Sequence, residues 1–169
     1  VEARKLMDGM VVYGLATLGV WGLNQWAASR DRRLVDAMGV SLLLCTTYLL
    51  SNVLTKTVGW PETIAWFPFV DAGFCAMLFA NWRRHPKVWK VVVMWAVVFQ
   101  MVSHVVAIYE WKTGGLTNGE MYIYATLLNG AYIVQLLALG SVGLGHVLAS
   151  LRSWRSDLRR APAYADARK

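Results

Sequence analysis

Residues Glu62 to Lys90 read ETIAWFPFVDAGFCAMLFANWRRHPKVWK. From Glu62 to Trp82 the run is long and apolar enough for a helix to cross about 30 Å of hydrocarbon. It also carries Pro68 and Asp71, which weaken it as a span. Pro61 matters less, because a proline in the first helical turn removes no intrahelical hydrogen bond. Whether this stretch crosses decides where the basic cluster Arg83, Arg84, Lys87 and Lys90 falls. If it crosses, that cluster shares a side with Arg30, Arg32 and Arg33 and with Arg152, Arg155, Arg159, Arg160, Arg168 and Lys169. Thirteen of the 17 Lys and Arg residues then lie on one side, and Arg4, Lys5, Lys56 and Lys112 on the other. If it does not cross, the asymmetry largely disappears. The positive-inside rule therefore favours a crossing, with the N-terminus outside and the C-terminus cytoplasmic.

Four further segments flank it with the same character: Met10 to Ser29, Leu34 to Thr55, Val88 to Trp111 and Met121 to Leu151. The expected fold is all-α, a polytopic transmembrane helical bundle of about five spans. Residues 1–151 form the bundle and residues 152–169 a basic cytoplasmic tail. Composition agrees, since 57% of the chain is apolar and 16% charged, against about 45–50% apolar in soluble domains. A soluble fold would have to hide nine Trp, seven Tyr and five Phe behind few charges.

A secretory signal peptide would be one apolar run ahead of a polar chain, whereas here apolar runs recur to about residue 150. Val1 reads as a trimmed start or as the literal translation of an alternative start codon. The net charge of +7 sits between and after the apolar runs. That is the pattern of membrane flanks meeting anionic lipid, and no nucleic-acid partner is expected. Cys45 and Cys75 lie inside apolar runs without CxxC or Cys/His spacing, so they read as apolar fillers rather than metal or redox groups. The loops are short, and KTGGLTNGE (112–120) is a Gly-rich turn. The tail begins as a basic helical continuation, RSWRSDLRR (152–160), and then turns Ala/Pro-rich around Pro162. It is expected against the anionic inner leaflet, with Trp154 as an interfacial anchor. Trp60, Trp66, Trp82, Trp89 and Trp111 fall near span ends, as an aromatic belt would.

Polar groups inside a membrane are costly, so each is either a functional site or interhelical glue. Counting from the outer span ends at 1.5 Å per residue places Asp71, Gln100, His104, Asn129 and Tyr48, with Ser51 and Asn52 above it, in one layer. That layer lies roughly 5 to 17 Å below the outer surface. Gln100 and His104 stand at i and i+4, on one face of the fourth span. Asp71 at that depth is expected to be protonated, paired with His104, or hydrated by a cavity. His85, in RRHPK, is expected to be solvated. His104 and His146 lie at opposite depths and cannot clamp one haem, and no cofactor or metal is expected. Ala72, Ala76 and Ala80, and Ser141 with Gly145, Gly140 and Gly143, form small-residue stripes suited to close helix packing, with internal packing the simpler use. There is no GxSxG, HExxH or Walker loop and no paired carboxylates, so the chain reads as non-enzymatic.

The tryptophan-rich sensory protein, or translocator, family resembles this chain in architecture: five spans, similar length, many Trp and the same expected orientation. Its Pro/Trp-rich stretch after the first span is replaced here by SRDRR (29–33). A second resemblance covers about residues 45–145. The runs WFPFVDAGFCAMLFANWRRHPKVWKVVV (66–93), FQMVSHV (99–105) and LLNGAYIVQLLAL (127–139) are similar to small multi-pass membrane proteins encoded by phages and prophages of proteobacteria. That resemblance implies an inner membrane or a virion membrane, and a protein that acts by assembling there, holin-like in the most concrete version. Two alternatives stand beside it. One is a small-molecule or ion binder or transporter using the outer polar layer; the other is an accessory subunit of a larger membrane complex, marked by a small, apolar outer face. Partners expected are the bilayer, anionic lipids at the basic flanks, and further copies or other membrane proteins.

Overall fold

A computed structural model of the chain describes the backbone of residues 2–59, 62–115 and 117–160, and the side chains within those ranges from 11 to 156 apart from 118. Trp60, Pro61, Val1 and residues 161–169, Pro162 among them, lie outside the described residues. Five long helices account for nearly all of it: α1 (Glu2–Arg30), α2 (Val35–Val58), α3 (Phe67–Arg84), α4 (Val88–Thr113) and α5 (Asn118–Arg160). Among the described residues there is no strand. Four apolar stretches are long enough to cross a membrane, namely 32–58, 62–84, 88–113 and 119–156. At 29 residues α1 has the length as well, but Asn24, Gln25 and three glycines between Gly14 and Gly22 dilute its apolar character.

What faces outward is as telling as length. Leu15, Leu49, Met77, Trp95, Val102, Val105 and Leu137 are all exposed away from the helix ends, while Asn24, Ser41, Lys90, His104 and Gln135 are buried. A protein in water hides the first group and solvates the second. The reversed arrangement suits a bilayer, where apolar side chains meet lipid and polar ones must find partners within the bundle.

The helix breaks follow local chemistry. Asp31 caps the 3-10 turn Arg32–Leu34 by accepting from the Arg33 amide at 2.9 Å. Gly59, at φ 89°, ends α2 in a backbone region that residues with a Cβ avoid. The segment starting at Glu62 is not one continuous helix: a 3-10 turn, Glu62–Ala65, precedes α3. There Thr63 donates to the carbonyl of Gly59. Pro68 falls within the first turn of α3, where its missing N–H removes nothing, so the proline that weakened this span in the sequence is harmless.

The bundle has two distinct ends. At the basic end Lys87 donates to the Arg33 carbonyl at 2.9 Å, which joins the α1–α2 and α3–α4 connections. At the other end Ile64 packs with Ala107 of α4 and Tyr124 of α5. Between them a core of Val40, Leu44, Phe74, Leu78, Val93, Val97, Leu136 and Leu139 unites α2 to α5. Helix α1 lies between α2 and α5 on glycine: a Cβ at Gly143 would stand 2.7 Å from Leu23 Cγ, and one at Gly140 3.6 Å from Val20. Of the small stripe of α5, Gly140 and Gly143 thus serve internal packing, whereas Ser141 and Gly145 are exposed. On α3, Ala76 and Ala80 are exposed, so that stripe faces out of the bundle. Helix α5 continues without a break through RSWRSDLRR to Arg160. Its 43 residues span roughly 65 Å, about twice the hydrocarbon thickness.

One expectation needs correcting. Lys90 is not a solvated flank cation; it is wholly buried, 2.9 Å from Asp36 and donating to the His85 carbonyl at 2.8 Å. Its long stem runs into the interface instead of toward water, because a carboxylate and a helix-end carbonyl are waiting there. His85 itself is exposed, as expected.

Candidate functional site

The half of the bundle nearer Ile64 carries a partly open cavity of about 730 Å³. Asp71, Gln100, His104, Asn129 and Tyr48, the five residues of the polar layer, all line it, together with Ser51 and Asn52. Helices α2 to α5 each contribute, and α1 reaches it through Tyr13. Leu44 and Phe74 belong both to the lining and to the core, so the core forms its floor toward the basic end.

The charged part of the wall is built on His104. This buried ring packs on Phe67 at 5.1 Å between centroids and sets Nδ1 2.6 Å from the Tyr124 hydroxyl. Its Nε2 lies 3.2 Å from Asp71 Oδ2. The Asp71 contact lacks the alignment of a hydrogen bond, and Oδ2 has no donor among the described residues. The two form an ion pair when the imidazole is protonated. When the tyrosine hydroxyl donates to Nδ1, the proton of a neutral imidazole sits on Nε2, the nitrogen nearer Asp71. Of the three outcomes open to Asp71 in the sequence, the geometry brings together two: it lies beside His104, and it lines a cavity.

Gln100 shares a helix face with His104 but not its partners. Its Oε1 accepts from Gln135 Nε2 at 2.5 Å, and Gln135 is almost fully buried. At the α1 side the Thr17 and Tyr132 hydroxyls bond at 2.5 Å. Tyr132 stands edge-on to Tyr13 at 5.8 Å and tilted on Tyr48 at 5.7 Å. Asn129 is exposed on the α5 rim and Tyr48 half-buried on α2. Several participants went unread in the sequence, Tyr124, Tyr132 and Gln135 among them. Tyr124 and Tyr132 look like belt or packing aromatics until a partner for the hydroxyl is known. Gln135 carried a usable signal, an amide in an otherwise apolar run six residues after Asn129.

The remaining polar groups lie elsewhere. His146 is half-buried with its ring 6.0 Å from Trp26, well away from the cavity. Cys45 is buried, its thiol 3.7 Å from the Thr17 carbonyl; Cys75, one turn after Asp71 on α3, is partly exposed. Trp66 and Trp154 are exposed and Trp82, Trp89 and Trp111 half-exposed. Compared with protein-family models, with characterised proteins and with solved structures, the chain matches none.

Proposed function

We propose that this chain is a small-molecule-binding membrane protein, and that the cavity on Asp71 and His104 is its binding site and the entrance of a transport path. The observation that carries this reading is the cavity's content. Polar residues from α2 to α5 converge on one space of ligand-site size, within the roughly 300–1,000 Å³ such sites occupy, and Asp71, Asn129, Tyr48, Ser51 and Asn52 line it in addition to the bonded Gln100–Gln135 pair. A polar cavity floored by packed apolar side chains is also what a carrier needs in one of its two states. The test is ligand stabilisation of the purified chain in detergent across a panel of drug-sized compounds. Compounds that raise the melting temperature should lose that effect in Ala125→Trp, which fills the lining from the α5 rim, and in Asp71→Asn. A panel without a stabilising compound, or stabilisation indifferent to Ala125→Trp, overturns the reading.

The orientation belongs to the same proposal. Removing Lys90 from the thirteen cations of the basic end leaves twelve against four, so the asymmetry that argues for a cytoplasmic C-terminus survives. The cavity then faces the outer leaflet.

A second reading, assembly in an inner or virion membrane with a holin-like role, draws on a different feature. On the outside of α3 and α4, Ala72, Ala76, Met94, Trp95 and Met101 edge an apolar groove that this chain leaves unfilled. Such a face suits another helix, from a second copy or from a larger complex. Inducible expression with a membrane-potential dye tests the holin version, which unchanged potential and growth at high expression would remove. A gentle-detergent pull-down separates a homo-oligomer from a subunit of a complex.

A further inference from the structure

Granting that the cavity is a binding site, we infer that its ligand is a lipophilic organic cation, an aromatic amine or onium ion, held by Asp71 against aromatic rings. Three observations carry this. Asp71 is the one acidic residue among the described lining residues, and no lysine or arginine joins it. An anionic ligand would therefore meet a carboxylate with His104 as the only counter-charge, and His104 is already engaged by Asp71 and Tyr124. The second observation is reach: Asp71 Oδ2 is turned to His104, but the side chain is partly exposed and lines the cavity, so the carboxylate can meet a cationic N–H or an onium charge there. The third is the company it keeps. Phe67 and Phe74 lie on its own helix, and Tyr13, Tyr48 and Tyr132, in mutual ring contact, join the lining from α1, α2 and α5. Aromatic faces attract cations, most strongly when water is excluded, and they also accept the apolar bulk of such a molecule. A bare metal ion fits less well. The space is far larger than one ion, and among the described residues no three His, Cys, Asp or Glu side chains gather as a ligand set.

The experiment is equilibrium binding to the full chain in a non-ionic detergent, with three probes of similar bulk and different charge: tetraphenylphosphonium, triphenylphosphine oxide and tetraphenylborate. Tetraphenylphosphonium should bind at least about tenfold tighter than either of the others, the least expected of a desolvated cation–aromatic contact beside a carboxylate. Asp71→Asn should bring its affinity to about that of the uncharged oxide, while Asp71→Glu keeps the preference. Comparison of the three probes on the unaltered protein stands even if the Asn variant does not accumulate. Binding of all three alike, abolished by Ala125→Trp, leaves the cavity a binding site and overturns the cation. Preference for tetraphenylborate overturns it as well. Binding of none of them overturns it together with the binding reading.

Discussion

Lys90 Nζ lies 2.9 Å from Asp36 Oδ2, and the lysine of this pair is wholly buried while the carboxylate is one-fifth exposed. The pair ties the second residue of α2 to the third of α4 where the basic connections meet. Removing one partner leaves a charge without compensation, a loss of about 3–5 kcal/mol in buried pairs. The partial exposure of Asp36 puts this site toward the lower figure. Asp36→Asn should therefore lower the thermal midpoint of the detergent-solubilised chain clearly. The double variant Asp36→Asn with Lys90→Met, which removes both charges, should recover most of the loss. A double variant as unstable as the single one would show that the ion pair is not what matters there.

Two glycines on α5 should respond oppositely. A methyl group at Gly143 would meet Leu23 Cγ at 2.7 Å and Asn24 Oδ1 at 2.9 Å, whereas at Gly145 nothing lies within 4 Å. Gly143→Ala should destabilise by about 1–3 kcal/mol through overpacking of α1 on α5. Gly145→Ala should be neutral or mildly stabilising, by up to about 1 kcal/mol of helix propensity. Parallel melting curves decide, and equal shifts would contradict the α1–α5 contact.

The Gln100–Gln135 bond should behave as ordinary membrane glue. A double-mutant cycle with Gln100→Leu and Gln135→Leu should give a coupling of about 0.6–2 kcal/mol, the range of interhelical hydrogen bonds in lipid. Coupling near zero would mean that the two amides are satisfied separately.

Topology is open to cysteine labelling in a background lacking Cys45 and Cys75. Cysteines at Gly114 and Thr57 should react from outside intact cells, and those at Asp31, His85 and Ser156 should be shielded. His85 is the informative position, because external labelling there would make the Asp71 segment re-entrant.

How much of this was legible in the chain depends on which coordinate of a helical residue is asked for. In lipid the backbone must satisfy itself, so an apolar run becomes a helix, and a fixed rise then converts position in the chain into depth. That is why the helices, and a layer holding Asp71, Gln100, His104, Asn129 and Tyr48, follow from the sequence alone, and why all five residues line one cavity. Rotation about each axis and the choice of neighbour are not written there. Gln100 and His104 sit on one face, one turn apart, yet the first meets Gln135 and the second Asp71 and Tyr124. Lys90 belongs by sequence to a basic flank and by packing to the interior. Such partnerships depend on how five helices share their grooves, a balance of many small contacts between residues far apart in the chain, and only the tertiary structure decided it.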